Sequence, residues 1–254
     1  MSKNFELMQR MGVEEKPFAE PRIETRVHVE ESVAATYKPR PILGLNQMSR
    51  EQTLKLIQRV FLLQSELAPR LVVFAGIERG NGCSQVCSDA AKILAMNVSG
   101  SVCLVDANLR APSLADTFHI PNHNGLTDAL RGDQPVRHFT SPLGPENLSL
   151  LSSGSRFEDS SKLLNSDRLK KRFAELRTEF DYILVDAPPL TAYADAIPLA
   201  QISDGLVLIL EANATRREAA LDVTQSLHSA RIRILGAVLN KRTFPIPDAL
   251  YRRV

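Results

Sequence analysis

From residue 71 onward the chain alternates between short apolar runs and longer stretches with helical spacing. The apolar runs are LVVFA (71–75), SVCLVDA (101–107), LSLLSSG (148–154), YILVDAPP (182–189), GLVLILEA (205–212) and RILGAVLN (233–240). Each is nearly continuous, as a strand buried on both faces requires. Helical periods fall between most of them. In 167–180, Leu169, Phe173, Leu176 and Phe180 recur at spacings of four, three and four; in 215–230, Ala219, Val223 and Leu227 recur every four. Upstream, Ser49 opens another helix, with Leu54, Leu56, Ile57, Val60, Phe61, Leu63 and Leu67 on a wide apolar face, and Pro69 ends it. Buried strands joined by helices predict an α/β fold, a doubly wound, mostly parallel sheet flanked by helices.

Residues 1–45 break this pattern. The segment VEEKPFAEPRIETRVHVEESVAATYKPRPI is polar, holds four prolines and keeps no sustained period. It reads as an extended, flexible N-terminal arm. Leu7, Met8 and Met11 lie at helical spacing and suggest a short docking helix at its start. The globular domain is then expected over 46–254.

Composition narrows the function classes. A net charge of +2, from 31 basic and 29 acidic residues mixed along the chain, gives no basic segment suited to nucleic acid. Three cysteines, Cys83, Cys87 and Cys103, do not make a disulfide framework. Cys83 and Cys87 are four apart, but two thiols without a nearby His or further Cys are a poor metal site. No run approaches the ~18 apolar residues of a membrane span, and charges interrupt the first dozen residues. A soluble, cytoplasmic chain is expected, reaching a membrane only through a partner.

In an open α/β sheet, ligands bind at the carboxyl ends of the strands. The first strand runs into the glycine-containing loop 76–82, the second ends at Asp106, the fourth at Asp186 and the last at Asn240. Gly80 and Gly82 can take positive φ and turn backbone N–H groups toward phosphate oxygens. The following helix offers its N-terminus to the same charge. Ser84 is placed for a hydroxyl contact to Mg²⁺, and an Asp after an apolar strand can hold that ion directly or through water. The opposing reading is structural: Asp106 and Asp186 cap the loops that they begin, and Asn240 is a turn residue. The loop also lacks the Lys of G-x-x-x-x-G-K-[ST], and Ile77 stands at its first Gly.

Taken in order, RGNGCSQ (79–85), CLVDANLRAP (103–112), FDYILVDAPPLTAYADA (180–196) and ILGAVLNKR (234–242) resemble the motifs of one family. It is the bacterial tyrosine kinases of polysaccharide export, within the MinD/ParA-like P-loop ATPases, with PGEGKST, DADLR, DTPP…DA and VLN. GLTDALRGD (125–133) is similar to a further family segment. The resemblance implies that Gly80, Asn81, Gly82, Cys83, Ser84 and Gln85 hold the phosphates of ATP or ADP. It implies that Ser84, Asp106 and Asp186 serve Mg²⁺, with Asp106 and Asp186 also catalytic. Arg110 matches the Arg of the second motif, and Asn240 matches an Asn that contacts adenine in related ATPases.

Three departures bear on activity. Cys83 stands where the family has the loop Lys, Asn108 replaces a carboxylate of the second motif, and Gln85 replaces a Thr. A charge-assisted hydrogen bond is worth ~1.5–3 kcal/mol, or roughly a 10- to 100-fold change in affinity. Its loss weighs more heavily on phosphoryl transfer, where charge is needed at the transition state. Arg79 and Arg110 could supply charge, although Arg does not replace Lys geometrically. Cys83 could be a reactive thiol whose pKa the helix N-terminus lowers, or a small buried residue.

The family carries a C-terminal tyrosine cluster, whereas this chain has Tyr251 alone in its last segment; Glu51 and Arg59 keep only part of its oligomer helix. The expected function is therefore a catalytically impaired regulator or scaffold of exopolysaccharide or capsule biosynthesis, cytoplasmic and peripheral to the inner membrane. Its partner would be a membrane chain-length-determinant (polysaccharide co-polymerase) protein, an intact kinase paralogue or further copies of itself. One alternative is an active protein tyrosine autokinase or ATPase with a rearranged site. Another is a MinD/ParA-type positioning ATPase, disfavoured by Glu78 at that group's second lysine and by Pro245 and Pro247 in the tail.

Overall fold

Seven strands form one sheet in the order β3-β4-β2-β5-β1-β6-β7. The computed structural model describes residues 47–62, 68–144, 146–156 and 160–242, so the expected arm at 1–45 and the tail with Tyr251 lie outside the described residues. The strands are β1 (Leu71–Gly76), β2 (Val102–Asp106), β3 (Ser141–Pro142), β4 (Leu148–Leu151), β5 (Tyr182–Ala187), β6 (Gly205–Glu211) and β7 (Ile234–Asn240). Every pairing is parallel except β3 with β4. All the described residues belong to a single compact unit.

The apolar runs are continuous because helices cover both faces of the sheet. Along β1, Leu71, Val73 and Ala75 point into one core, while Val72 and Phe74 point into the other. Helices α1 (Gln47–Ile57) and α2 (Cys83–Asn97) pack on the Phe74 face. So does Leu114 of the short α3 (Leu114–Phe118). The opposite face receives α4 (Leu126–Arg131), α5 (Ser160–Leu164), α6 (Asp167–Glu179), α7 (Ala196–Gln201) and α8 (Arg217–Ser229). This is the doubly wound, mostly parallel sheet that the pattern predicts.

The differences are local. The first helix does not run on as a regular α-helix. At Gln58–Leu62 it widens into a π-helical turn, which brings the consecutive residues Val60 and Phe61 both into the core. The third predicted strand stops at Leu151 because the carbonyls of Ser152 and Ser153 instead accept the N–H groups of Leu126 and Thr127 at the start of α4. The two-residue β3 is too short to leave a period. Among the described residues, no helix is long and apolar enough to cross a membrane.

Connectivity fixes where a ligand can enter. β1 and β5 are neighbours. The loop after β1 leads to α2 on one face, and the loop after β5 leads to α7 on the other. The two loops therefore diverge and leave a crevice at the carboxyl end of the sheet, the place where such folds bind ligands.

Candidate functional site

A cleft of about 200 Å³ occupies this crevice. Its wall is the loop from Gly76 to Gln85 on one side, with Asn108 after β2 and Ala187 and Pro189 after β5 on the other. The loop has the shape that its glycines allow: Gly80 and Gly82 take φ of +83° and +80°. At Gly82 the reason is double, because a Cβ there would also collide with the Asn240 side chain. Gly82 is the N-cap of α2, so the helix begins with its free N–H groups at the cleft.

Two amides hold the loop in place. Asn81 is almost fully buried, and its Oδ1 accepts the Glu78 N–H at 2.7 Å across the turn. Asn240, at the end of β7, donates from Nδ2 to the Asn81 carbonyl at 2.8 Å. On the other side, the N–H of Leu190 reaches the Gly76 carbonyl and that of Thr191 reaches Ile77. The Thr191 hydroxyl also donates to Ile77 O, at 2.7 Å. The phosphate-type loop is thus tied to the last strand and to the loop after β5.

The two aspartates stand side by side. Asp106 and Asp186 are direct partners in the β2/β5 ladder, and both are fully buried. Their surroundings differ. Asp106 accepts the N–H groups of Ser113 and Leu114 on Oδ2, at 3.1 and 3.0 Å, and so caps α3 as the structural reading allowed. Among the described residues, its Oδ1 has no hydrogen-bond partner, and neither oxygen of Asp186 has one. Buried carboxylate oxygens are rarely left so, and coordination of a cation would account for them.

Burial pushes Asp106 up to about 6, against the backbone N–H groups of Leu114, Ser113 and Asn108, which favour its charge. Burial pushes Asp186 up to about 7; the neighbouring Asp106 adds to the shift, while the nearby Ser84 hydroxyl and Cys83 thiol oppose it without well-formed hydrogen bonds.

Cys83 is the first residue of α2 and lines the cleft beside Asp186. Burial, and then the Asp186 charge, hold its thiol well above the usual cysteine range. The helix N-terminus does not win: of the two readings of Cys83, the reactive thiol with a lowered pKa is disfavoured, because partial burial and the adjacent Asp186 carboxylate outweigh the dipole. Cys87 is raised for the same reasons, Cys103 is pushed up to about 12 by burial, and all three are free thiols.

The remaining residues singled out from the sequence are in the same region with different partners. Gln85 donates to Asp89 one turn along α2, at 2.8 Å. Asn108 lines the cleft, and its Oδ1 accepts the Ala111 N–H at 3.3 Å. Arg110 pairs through Nε with the buried Asp195, at 3.1 Å, in the loop after β5. Its guanidinium also lies 4.9 Å from the ring centre of Tyr193, and Arg79 stacks on the same ring at 5.1 Å. Tyr193 and Asp195 were not singled out as site residues by sequence reasoning. The DA of the third motif hinted at Asp195, whereas nothing local marks Tyr193.

Among the described residues, no lysine or arginine lines the cleft. Among the described residues, no group of three or more His, Cys, Asp or Glu side chains converges as a metal site. A cation here would therefore draw on the free oxygens of Asp106 and Asp186, on Ser84, and on groups supplied by a bound ligand.

No protein-family model matches the chain. Among curated proteins it is 30% identical to Tyrosine-protein kinase YwqD of Bacillus subtilis over 161 residues, covering 63% of this chain and 68% of that protein. The chain belongs to the bacterial tyrosine-protein kinases. Tyrosine-protein kinase CpsD of Streptococcus agalactiae is 25% identical over 173 residues, with 68% of this chain and 75% of the relative covered. The longer Tyrosine-protein kinase etk of Escherichia coli is 26% identical, and the chain spans only 24% of its length.

Solved structures agree on the fold of this kinase-family chain. The VpsO kinase domain is 25% identical, with a TM-score of 0.67 over 77% of this chain and 97% of that one. The chimerical protein CapA2B2 gives 0.73 at 20% identity, over 78% and 87%. The septum site-determining protein MinD of Pyrococcus horikoshii, solved with Mg-ADP, gives 0.57 at 21% identity over 72% and 76%, and is a likeness of fold alone.

Proposed function

We propose that this kinase-family chain binds a magnesium nucleotide but transfers phosphoryl groups poorly, and that it acts as a regulator or scaffold in capsule or exopolysaccharide assembly. One observation carries the reading: Cys83, an uncharged thiol, occupies the first helical position at the cleft, beside Asp186. A cation there would favour phosphate binding and most of all the transition state of phosphoryl transfer. A neutral thiol provides neither, while the loop glycines, Ser84 and the two aspartates remain.

The residues present fit the nucleotide. The loop N–H groups around Gly80 and Gly82 and the start of α2 would hold phosphate oxygens, as the positive φ values support. Ser84, Asp186 and the free oxygen of Asp106 would hold Mg²⁺, consistent with the unpartnered buried oxygens. Bound MgATP would supply the transferable phosphoryl group. Asn240 and Asn81 would keep the loop open to it, and Asn108, an amide where the family has a carboxylate, would leave the cation with one negative neighbour fewer. Gln85, Arg110 and Asn240 are assigned to the same nucleotide region.

A cytoplasmic location, peripheral to the inner membrane, is part of this reading. The partner would be a membrane chain-length-determinant protein, an intact kinase paralogue or a second copy. The test is direct. MgATP titrated into the full chain by calorimetry should bind, while radiolabelled ATP should leave phosphotyrosine near background. Phosphate on Tyr251 that disappears in Asp186→Ala would overturn the impaired-transfer reading and favour an active autokinase with a rearranged site.

A further inference from the structure

Arg79 is the one basic residue of the loop 76–85, and its environment is specific. It stands next to Gly80 at the loop apex, where an added Cβ would meet nothing within 4 Å. The apex is therefore unpacked, and an exposed side chain there has room to turn. Among the described residues, Arg79 makes no ion pair, and the contact recorded for it is the face of Tyr193, 5.1 Å from guanidinium carbon to ring centre. Such a contact seats a guanidinium without neutralising it.

Tyr193 is itself held. Its N–H donates to the Pro189 carbonyl at 3.1 Å, which fixes the turn after β5. Arg110 stacks on the same ring at 4.9 Å, but its charge is matched by the buried Asp195 at 3.1 Å. Two guanidinium groups can share one ring because only one carries uncompensated charge. The cleft lined by the rest of the loop has Glu78 in its wall, a buried carboxylate beside Cys83 and Ser84, and, among the described residues, no basic side chain in its lining.

The geometry points to Arg79, seated on Tyr193, as the residue that recognises the outermost phosphate of the bound nucleotide. It supplies from the loop apex the positive charge that position 83 lacks. This inference rests on the nucleotide reading above and adds to it a specificity: the chain should favour nucleotides by the number of their phosphates. Swinging from the ring toward the cleft, Arg79 meets the terminal phosphate, whereas the adenosine and α-phosphate lie beyond its role. Tyr193 is a positioning residue, acting through Arg79.

The experiment measures MgATP, MgADP and AMP affinities of the full chain and its variants by calorimetry. Wild type is expected to bind ATP more tightly than AMP. Arg79→Ala should lose roughly 10- to 100-fold in ATP affinity, the value of one charge-assisted hydrogen bond, with AMP binding unchanged. Tyr193→Leu should lose part of the same ATP preference, and Tyr193→Phe, which keeps the ring face, should restore it. Equal losses for ATP and AMP in Arg79→Ala, or wild-type ATP affinity in that variant, would overturn the inference while leaving the nucleotide reading intact. Absence of any nucleotide binding by the wild type would overturn both.

Discussion

Asp106 and Asp186 face each other across the β2/β5 ladder as direct register partners, with three of their four carboxylate oxygens lacking a hydrogen bond. Neighbouring strands hold both backbones, so the pair cannot relax apart as two loop residues would. Burial and mutual repulsion make its full ionisation expensive, and this has a consequence for stability.

Asp186 is raised to about 7 and Asp106 to about 6 in the folded chain, against about 3.9 for a free Asp. Between pH 4 and 7 the folded state holds protons that the unfolded chain has released, so stability falls as pH rises through this window and levels off above it. Asp186→Asn removes the penalty. Its melting temperature should exceed that of wild type by several degrees at pH 8, from a gain on the order of a few kcal/mol. At pH 4 the two should coincide. Calorimetric melts at both pH values without divalent ions check this.

Restoring a cation should restore phosphate affinity. Cys83→Lys places an ammonium at the start of α2 beside Asp186, and MgATP affinity should rise roughly 10- to 100-fold. Calorimetric titration reads the change. An unaltered Kd would mean that the thiol is not what limits binding.

The wild-type thiol should also be sluggish. With Cys83 held above the ordinary range by burial and Asp186, its thiolate fraction at pH 7.5 is below that of a free cysteine. Labelling with a thiol-reactive chromophore should run at least about tenfold slower than for free cysteine, and should accelerate on unfolding in denaturant.

Gly82 and Asn240 should prove coupled. Gly82→Ala forces a Cβ against the Asn240 amide at a φ of +80° and should cost on the order of 1–3 kcal/mol or more. Asn240→Ala loses a 2.8 Å hydrogen bond and should cost about 1 kcal/mol. The double variant should be more stable than the sum of the two predicts, because the collision is gone and only backbone strain remains. Urea denaturation of the four proteins gives the coupling.

At the opposite end of the sheet, Asp204 accepts the N–H groups of Arg70 and Leu71 at the start of β1 and pairs with Arg177. Despite partial burial, these partners lower its pKa. A depressed carboxylate stabilises the fold above its unfolded pKa of about 3.9, and the contribution disappears as pH falls through the folded value. Asp204→Ala should therefore destabilise by about 1–3 kcal/mol at pH 7 and by less at pH 3, as chemical denaturation at the two pH values would reveal.

The sheet was legible in the sequence because burial on both faces leaves a signal in every strand, as in LVVFA and YILVDAPP. Strand-end chemistry was legible for the same reason: a charged residue closing an apolar run, such as Asp106 or Asp186, stands out. Hydrogen bonds between distant residues were not. The Asn240 amide reaches Asn81 across 159 positions, and no local period encodes it. The seating of Arg79 and Arg110 on Tyr193 depends on three loops meeting. The opposite fates of two similar aspartates, one capping α3 and one left bare, follow from what the next loop does after each strand. Which of the two readings of Cys83 holds was not legible either, because helix dipole and neighbouring carboxylate oppose each other and only distance decides between them.

The tie from Asn240 to the loop has a last implication. Among the described residues, β7 pairs only with β6, and its residues are the least buried of the long strands. Edge elements of this kind open locally far more often than central strands. An opening of β7 would carry Asn240 away from Asn81 and release one of the two amides that hold the turn. The rhythm of the sheet's rim would then be imposed on the cleft. Whatever binds along that rim and quiets it would stiffen the loop without touching it.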